Sequence, residues 1–484
     1  MSARRDQPDG PACTAGEDAV AHCDSGNATA PSPAFAPGAE RIDTAAFAAS
    51  YRADPRLARH VPGFDAPFFQ AGLAGYSDAA MRLIARRHGA PFCVTEALLD
   101  RTLLAGGRGF AKADLGELED NIPGGADDHP LAGQIMGSDP DTMAAAAIKM
   151  IEPGRRPPSY YRALTGRPPE LFTASLPRRD RAAKPLATGG HPESGSSPPP
   201  LSRRESPGGV SSHPVPPWEK VAAQRQVEGI DSSSRTFAVI DVNLACPVKK
   251  ISKMSRGGHW LREPEGAIDI LRAVRAAVPR PIATAVKLRR GWDDSPDAER
   301  NFFRIFEAAY DLGYAFAVVH GRTVEQKYQG PSRWTFLRDL VRRYPDRLIL
   351  GSGDVWDAHE IFRMIAYTGV HAASVARGCI GNPWVFRQAR DLMAGLPPRP
   401  PTLAEQRGVL LEHFDLSARV NGEHKAGKMM RKFGIRFAAH HPDGDAVRRG
   451  FIAVDNEDDW RAVIDRHYRL DGAAPKPAAQ AVRA

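Results

Sequence analysis

The chain has 484 residues, 42% of them hydrophobic, and a net charge of +8, which together allow a sizeable core in one to three domains and favour an anionic partner, nucleic acid included. Five scattered cysteines (Cys13, Cys23, Cys93, Cys246 and Cys379) form no CxxC pair, which argues against a disulfide framework or a zinc site and suits a reducing cytoplasm. No run approaches the ~18 consecutive apolar residues of a membrane span, and the N-terminus lacks a secretory signal pattern.

Residues 1–60, rich in Ala, Pro, Gly, Ser and Asp, read as a disordered N-terminal extension with one short helix near Asp43–Tyr51. Order is expected to begin near Pro67. Phe68–Leu73 reads as a strand, followed by a helix that Ser77 or Asp78 caps and Gly89 closes. Phe92–Thr95 is a second strand, ending at Glu96, and Leu131–Met136 a third, carrying Gln134. Ser138-Asp139-Pro140 then caps a helix to Ile151. From Glu152 the chain fills with Pro, Ser, Gly and Arg, so 152–235 reads as a long, mostly disordered insertion, with Trp218–Val227 its helical candidate. The apolar, β-branched run Phe237–Val242 is a buried strand. It leads into Asn243, Cys246, Lys249, Lys250, Lys253 and Gly257-Gly258. Helices at 264–278, 296–312, 332–344 and 357–367 then alternate with strands starting at Ile282, Phe316, Leu348 and Ala372, and a further helix covers 382–393. After the linker PPRPPT, helices at 403–420, 425–437 and 443–451 form a small unit.

Eight strands alternating with helices specify an α/β fold with a parallel sheet, a (β/α)8 TIM barrel. The expected domains are the barrel at 61–395, a C-terminal helical domain at 396–470 and a disordered tail at 471–484. No GxGxxG opens a first helix, which disfavours a dinucleotide-binding doubly wound sheet. A barrel's active rim is built from residues just past the strands' C-terminal ends. Here those are Ala74-Gly75, Glu96, Gln134, Asn243 with Cys246, Lys287 with Arg289, His320 with Arg322, Ser352-Gly353-Asp354 and Arg377-Gly378. The glycine-bearing loops GSGDV and ARGCIGN fit a phosphate cradle. Lys287 is placed to face a ligand across the mouth, where a cation would stabilise a reduced flavin. With Cys246 as a proton donor, the pieces make a cofactor holder and a general acid, not a hydrolytic triad, and no metal is expected.

The segments PFFQAGLAGYSDAAMR, GQIMGSDPDTMAAAA, DVNLACPVKKISKMSRGG, VKLRRGW, VVHGRT, GSGDV and RGCIGNPWVF, in that order, resemble the FMN-dependent tRNA-dihydrouridine synthases. The resemblance covers Pro67–Met393 without the insertion and continues more weakly into RKFGIRFAAHHP. It implies reduction of uridine to 5,6-dihydrouridine in tRNA, with NADPH reducing the flavin. FMN would contact Gly72, Leu73, Ala74, Gln134, Lys287, His320, Ser352, Gly353, Asp354, Ala376 and Arg377. Hydride would pass to C6 of a flipped-out uracil and the Cys246 thiol would protonate C5. Asn243, Arg289 and Arg322 are expected at the substrate, and Lys425, Lys428, Arg431 and Lys432 at the RNA, with Arg448 and Arg449 beside them. Positions 425, 428 and 432 share one helical face. The chain departs from the family pattern at Gly72 (usually Pro), Ser352 (usually Asn), Ala245 and Ala376 (usually Gly), and in His259-Trp260. Two other readings stand beside this one: an FMN barrel oxidoreductase acting on a small molecule, and a catalytically inactive RNA-binding relative. A cytoplasmic monomer without a stable protein partner is expected.

Overall fold

The computed structural model describes residues 38–105, 126–151, 237–247 and 257–469. The expected insertion at 152–235, the tail from 471, and Lys249, Lys250 and Lys253 lie outside the described residues.

Nine strands form one parallel sheet: β1 (Phe68–Gln70), β2 (Cys93–Val94), β3 (Leu98–Leu99), β4 (Leu131–Met136), β5 (Val239–Leu244), β6 (Ala283–Arg289), β7 (Phe316–His320), β8 (Ile349–Ser352) and β9 (Ala372–Val375). β1 pairs with both β2 and β9, and β2 pairs with β4, so eight strands close into a barrel. β3, too short to show a period in the sequence, continues beside β4 where β2 stops, pairing with Ile135 and Met136. The fold is the expected (β/α)8 barrel. β5 begins two residues later than its apolar run, because its ladder is set by partners such as Val239↔Ala283 on β6, not by where hydrophobicity starts.

Helices α1 (Thr44–Ser50), α2 (Pro55–His60), α3 (Ala79–Arg87), α4 (Asp100–Ala105), α5 (Pro140–Ile151), α6 (Pro264–Ala277), α7 (Pro296–Asp311), α8 (Trp334–Arg343), α9 (Ala358–Thr368) and α10 (Trp384–Met393) accompany the barrel. Their starts are chemically marked. Asp78 accepts from the Met81 N–H at 3.0 Å, and Asp357 accepts from Glu360 at 2.9 Å. Beyond the barrel come α11 (Leu403–Asn421), opened by a Thr402/Glu405 capping box, then α12 (Glu423–Phe437), α13 (Gly444–Ile452) and α14 (Glu457–His467). The sequence reading missed α14. Its first turn is all acidic, and only Trp460, Val463 and Ile464 are buried, too few to show a period. No helix among the described residues is long and apolar enough to cross a membrane.

Residues 38–60 were expected outside the fold, and the structure corrects this. α1 packs against α9 and α10, with Ala48 fully buried. α2 leads a plug into the barrel's N-terminal mouth. Leu57, Val61 and Phe64 share a cluster with Phe69, Phe316 and Leu348, which lie at or beside strand starts. Phe64 stacks on Phe92 at 5.0 Å and meets Phe69 edge-on at 5.8 Å. Arg56 locks the plug: it pairs with Asp54 at 2.8 Å, donates to the Asp346 carbonyl at 2.7 Å and meets His371 Nε2 at 2.9 Å. An Ala- and Pro-rich composition hid this because one turn of helix has too few apolar residues to show a pattern.

The helices from α11 onward sit against the β1/β9 side of the barrel. Tyr76 meets Phe433 edge-on at 5.5 Å, and Trp384 meets Phe437 at 5.5 Å. Leu57→Ala removes the centre of the lower plug and is expected to cost about 2–5 kcal/mol of unfolding free energy. Urea denaturation checks this, and a loss under about 0.5 kcal/mol would place Leu57 with ordinary surface positions.

Candidate active site

Strand alternation decides what the barrel interior holds. At the N-terminal end the inward positions are apolar: Phe69, Val239, Phe316, Leu348 and Ala372. Toward the C-terminal end the same inward faces carry Gln134 and Asp241, then Asn243, Lys287, Arg289, His320 and Ser352. The ladder sets them side by side, pairing Gln134 with Asp241, Asn243 with Lys287, Arg289 with His320, and His320 with Ser352. Cys246 follows β5, so its thiol loop lies on this rim with the other predicted residues.

Gln134 is buried and donates from Nε2 to Asp241 Oδ2 at 2.7 Å, while Asn243 Nδ2 donates to Gln134 Oε1 at 2.8 Å. Asn243 Oδ1 also accepts from the Ala245 N–H at 2.9 Å, so this amide chain reaches the backbone beside Cys246. Asp241 was missed in the sequence, although its spacing two residues before Asn243 puts both on the inward face. Burial raises its pKa, against the Gln134 hydrogen bond and the Lys287 charge. Burial also pushes the Lys287 ammonium down to about 8, while Asp241 opposes that shift and the Arg289 charge adds to it.

The Cys246 loop is held at both flanks. The Gly258 N–H donates to the Cys246 carbonyl at 2.9 Å, and Arg289 Nε donates to the Ala245 carbonyl at 3.0 Å. Arg289 Nη1 reaches the Thr323 and Lys327 carbonyls at 2.7 and 2.8 Å. Expected at the substrate, this 2% exposed guanidinium instead ties the thiol loop to the loop after β7. Cys246 lies close enough to Lys287 and Arg289 that a thiolate there would favour the charged form of both.

His320 is lowered well below the ordinary histidine value, first by burial and then by the cations Arg289, Lys287, Arg322 and Arg377. Its Nε2 is buried with no hydrogen-bond partner among the described residues. Beside it runs the Ser352-Gly353-Asp354 turn. A Cβ on Gly353, whose φ is +114°, would stand 3.1 Å from that Nε2 and collide with Ser332. Asp354 Oδ2 accepts from Arg322 Nη2 and the Ser332 N–H, both at 2.7 Å, and Oδ1 from Arg377 Nη2 at 3.4 Å. Asp354 therefore presents its carboxylate to arginines. Arg322, expected at the substrate, is buried and also donates to the Gly330 carbonyl. The two non-glycine residues with positive φ among the described residues, Lys327 (50°) and Asp354 (57°), both belong to this rim. Tyr328, not singled out in the sequence, is 45% exposed and lies under two guanidiniums, Arg377 at 4.7 Å and Arg289 at 5.6 Å. Arg377 lies 4.6 Å from Trp356 as well.

Gly72, Leu73 and Ala74 follow β1. A Cβ on Gly72 would collide with the Thr95 carbonyl, so the departure from proline here matches a close backbone approach. On α12, Lys425 and Lys428 are exposed, Arg431 pairs with Asp455 at 3.2 Å, and Lys432 turns inward onto the Gly75 carbonyl. Arg448 and Arg449 are exposed on α13.

Cations, a glycine turn and a cysteine loop thus share the C-terminal rim of the barrel, the end at which barrel enzymes carry their active sites. The family model "Dihydrouridine synthase (Dus)" matches residues 226–468. A probable tRNA-dihydrouridine synthase of Mycobacterium tuberculosis is 33% identical over 280 residues, spanning 57% of this chain and 69% of the relative. The tRNA-dihydrouridine synthase B of Shewanella oneidensis is 35% identical over 204 residues, 42% of this chain and 59% of its own. Among solved structures, the old yellow enzyme homologue from Zymomonas mobilis covers 69% of this chain and 90% of its own at 15% identity. Its TM-score of 0.36 is too remote to inform the chemistry. The chain belongs to the dihydrouridine synthase family and is a flavin-dependent oxidoreductase of that family.

Lys287 generates a pH dependence. In the unfolded chain its amine keeps a proton up to about 10.4, and in the folded protein only to about 8. Between those values the unfolded state binds more protons, so stability rises with pH there, and the cost of the buried charge is fully present below pH 8. Unfolding free energy of the ligand-free wild type is therefore expected to gain on that of Lys287→Met as pH climbs from 8 to 10. Parallel urea-denaturation curves across that range would contradict the assigned burial.

Proposed function

We propose that this protein reduces uridine to 5,6-dihydrouridine in tRNA, with FMN in the barrel mouth, NADPH as reductant and Cys246 as general acid. The observation that carries the reading is the convergence of Lys287, the unpartnered His320 Nε2 and the Cys246 loop on one rim, in a chain of this family.

The rim fits the cofactor's chemistry. A polar ligand atom at His320 would give its buried nitrogen a hydrogen bond, and Gly353 adds no side chain where Ser332 already packs beside it. His320 with Ser352, Gly353, Ala376 and Arg377 would hold the phosphate end. Gly72 and Ala74 would offer backbone to the ring, Leu73, its N–H and carbonyl tied within the turn, would offer apolar contact, and Gln134 and Lys287 would offer polar side chains. Asp354 acts indirectly, fixing Arg322 and Arg377. When bound, FMN supplies the hydride that C6 of the uracil accepts.

The chain's own residues do the rest. The Cys246 thiol delivers a proton to C5 as the hydride arrives at C6. Arg289 and Asn243 hold the carbonyl and the N–H of Ala245, the residue just before that thiol, so both set where the proton is delivered. Lys425, Lys428, Arg448 and Arg449 meet tRNA phosphates, which places RNA binding in the 396–470 unit and chemistry in the 61–395 barrel. The protein acts as a monomer in the cytoplasm.

Mapping dihydrouridines in tRNA from cells with and without the gene tests the function. Unchanged dihydrouridine would turn the reading toward a small-molecule substrate, and a purified protein that takes up no flavin would turn it toward an inactive RNA-binding relative. Cys246→Ala is expected to bind FMN and accept electrons from NADPH, while uridine reduction falls by about 10²–10⁴-fold. Wild-type turnover in that variant would remove Cys246 from its role.

A further inference from the structure

Lys432 shares a helix with the cations expected at the RNA but points into the protein. Its Nζ donates to the Gly75 carbonyl and lies 4.5 Å from the Tyr76 ring and 5.4 Å from that of Phe433. The N–H of the same glycine donates to Glu96 Oε2 at 2.9 Å. One residue of the turn after β1 is thus gripped twice: at its nitrogen by the loop after β2, and at its carbonyl by the helical bundle. Within the turn, Leu73 N–H donates to Ser77 Oγ at 2.8 Å, and the N–H groups of Tyr76 and Ser77 return to the Leu73 carbonyl at 2.9 and 3.0 Å. A turn closed on itself this way moves as one piece, so its two outside grips set where Gly72, Leu73 and Ala74 stand. The ammonium's surroundings favour a firm grip. Half-buried itself, it lies over two aromatic rings, with the buried His413 tilted against Phe433 at 4.5 Å and the Asp78 charge acting on that histidine.

We propose that Lys432 is a positioning residue through which the helical bundle sets the cofactor-facing turn 72–75. This rests on the reading above that the turn faces FMN. The bundle then does two jobs with neighbouring lysines of one helix: Lys425 and Lys428 face outward to RNA, while Lys432 holds the barrel's first loop in register. It also follows that how the bundle is seated controls cofactor retention, independently of RNA.

The test compares full-length Lys432→Met and Lys432→Arg with a Lys425→Ala, Lys428→Ala double variant. Amide exchange of residues 72–78 is followed in flavin-free protein, FMN affinity by quenching of FMN fluorescence, and affinity for unmodified tRNA by filter binding. In Lys432→Met, exchange at 72–78 is expected to rise about tenfold and FMN affinity to fall about tenfold, with tRNA affinity held within about twofold. Lys432→Arg, which keeps a cationic donor, is expected to restore most of both losses, and the double variant to lose tRNA affinity but retain FMN. Unchanged exchange at 72–78, an equal acceleration in β5 to β7, or a tRNA defect matching the double variant with FMN affinity intact would each overturn the proposal. Wild-type protein that takes up no FMN, yet shows the local acceleration in Lys432→Met, would sink the flavin assignment while supporting the grip itself.

Discussion

A lysine pointing into a closed barrel is the constraint on which the rim depends. Lys287 stands on the inward face of β6, beside Asn243 in the ladder and near the carboxylate of Asp241. Burial pulls its pKa down to about 8. Desolvation would otherwise favour the neutral amine, and what opposes it is the negative charge of Asp241, itself steadied by Gln134. The polar layer around it therefore works as one connected unit running from Asp241 through Gln134 and Asn243 to the backbone beside Cys246.

Guanidinium groups assemble the rest of the rim. Arg289 binds carbonyls from the loops after β5 and β7, and Arg322 joins Gly330 to Asp354. Arg377 reaches the same carboxylate from the loop after β9. A planar group with five donors suits bridging several loop carbonyls, which a lysine's compact ammonium would do less well. These arginines hold the loops that bear the thiol and the glycine turn, and the positive φ of Lys327 and Asp354 shows backbone bent to meet them.

The opposite mouth is apolar. The plug formed by Leu57, Val61 and Phe64 closes the N-terminal end with hydrocarbon and aromatic contacts. The polar end is thereby free to carry charges that contribute little to folding, a division of labour common in barrel enzymes. The helical bundle adds a third hold, at the loop after β1 through Lys432.

The order of the strands, the barrel they close and nearly every rim position were legible in the sequence. Strand–helix alternation and the polar residue ending each apolar run are local patterns, written within a few residues. Membership of the family was legible as well, in the spacing around Cys246, Lys287 and His320. What the sequence left undetermined was which way a long side chain turns once the elements meet. Arg289, Arg322 and Lys432 look like ligands for an anion when read alone, but each donates to backbone carbonyls and Arg322 to the Asp354 carboxylate too, with Arg322 Nη1 left buried and unpartnered among the described residues. The plug at 54–64 and the strand Leu98–Leu99 stayed hidden for a related reason. Each is too short to carry a period, and each is held by contacts with the barrel, at its hydrophobic mouth or along β4. Such contacts are settled by tertiary packing, because a donor or an apolar face takes the partner that folding brings within reach.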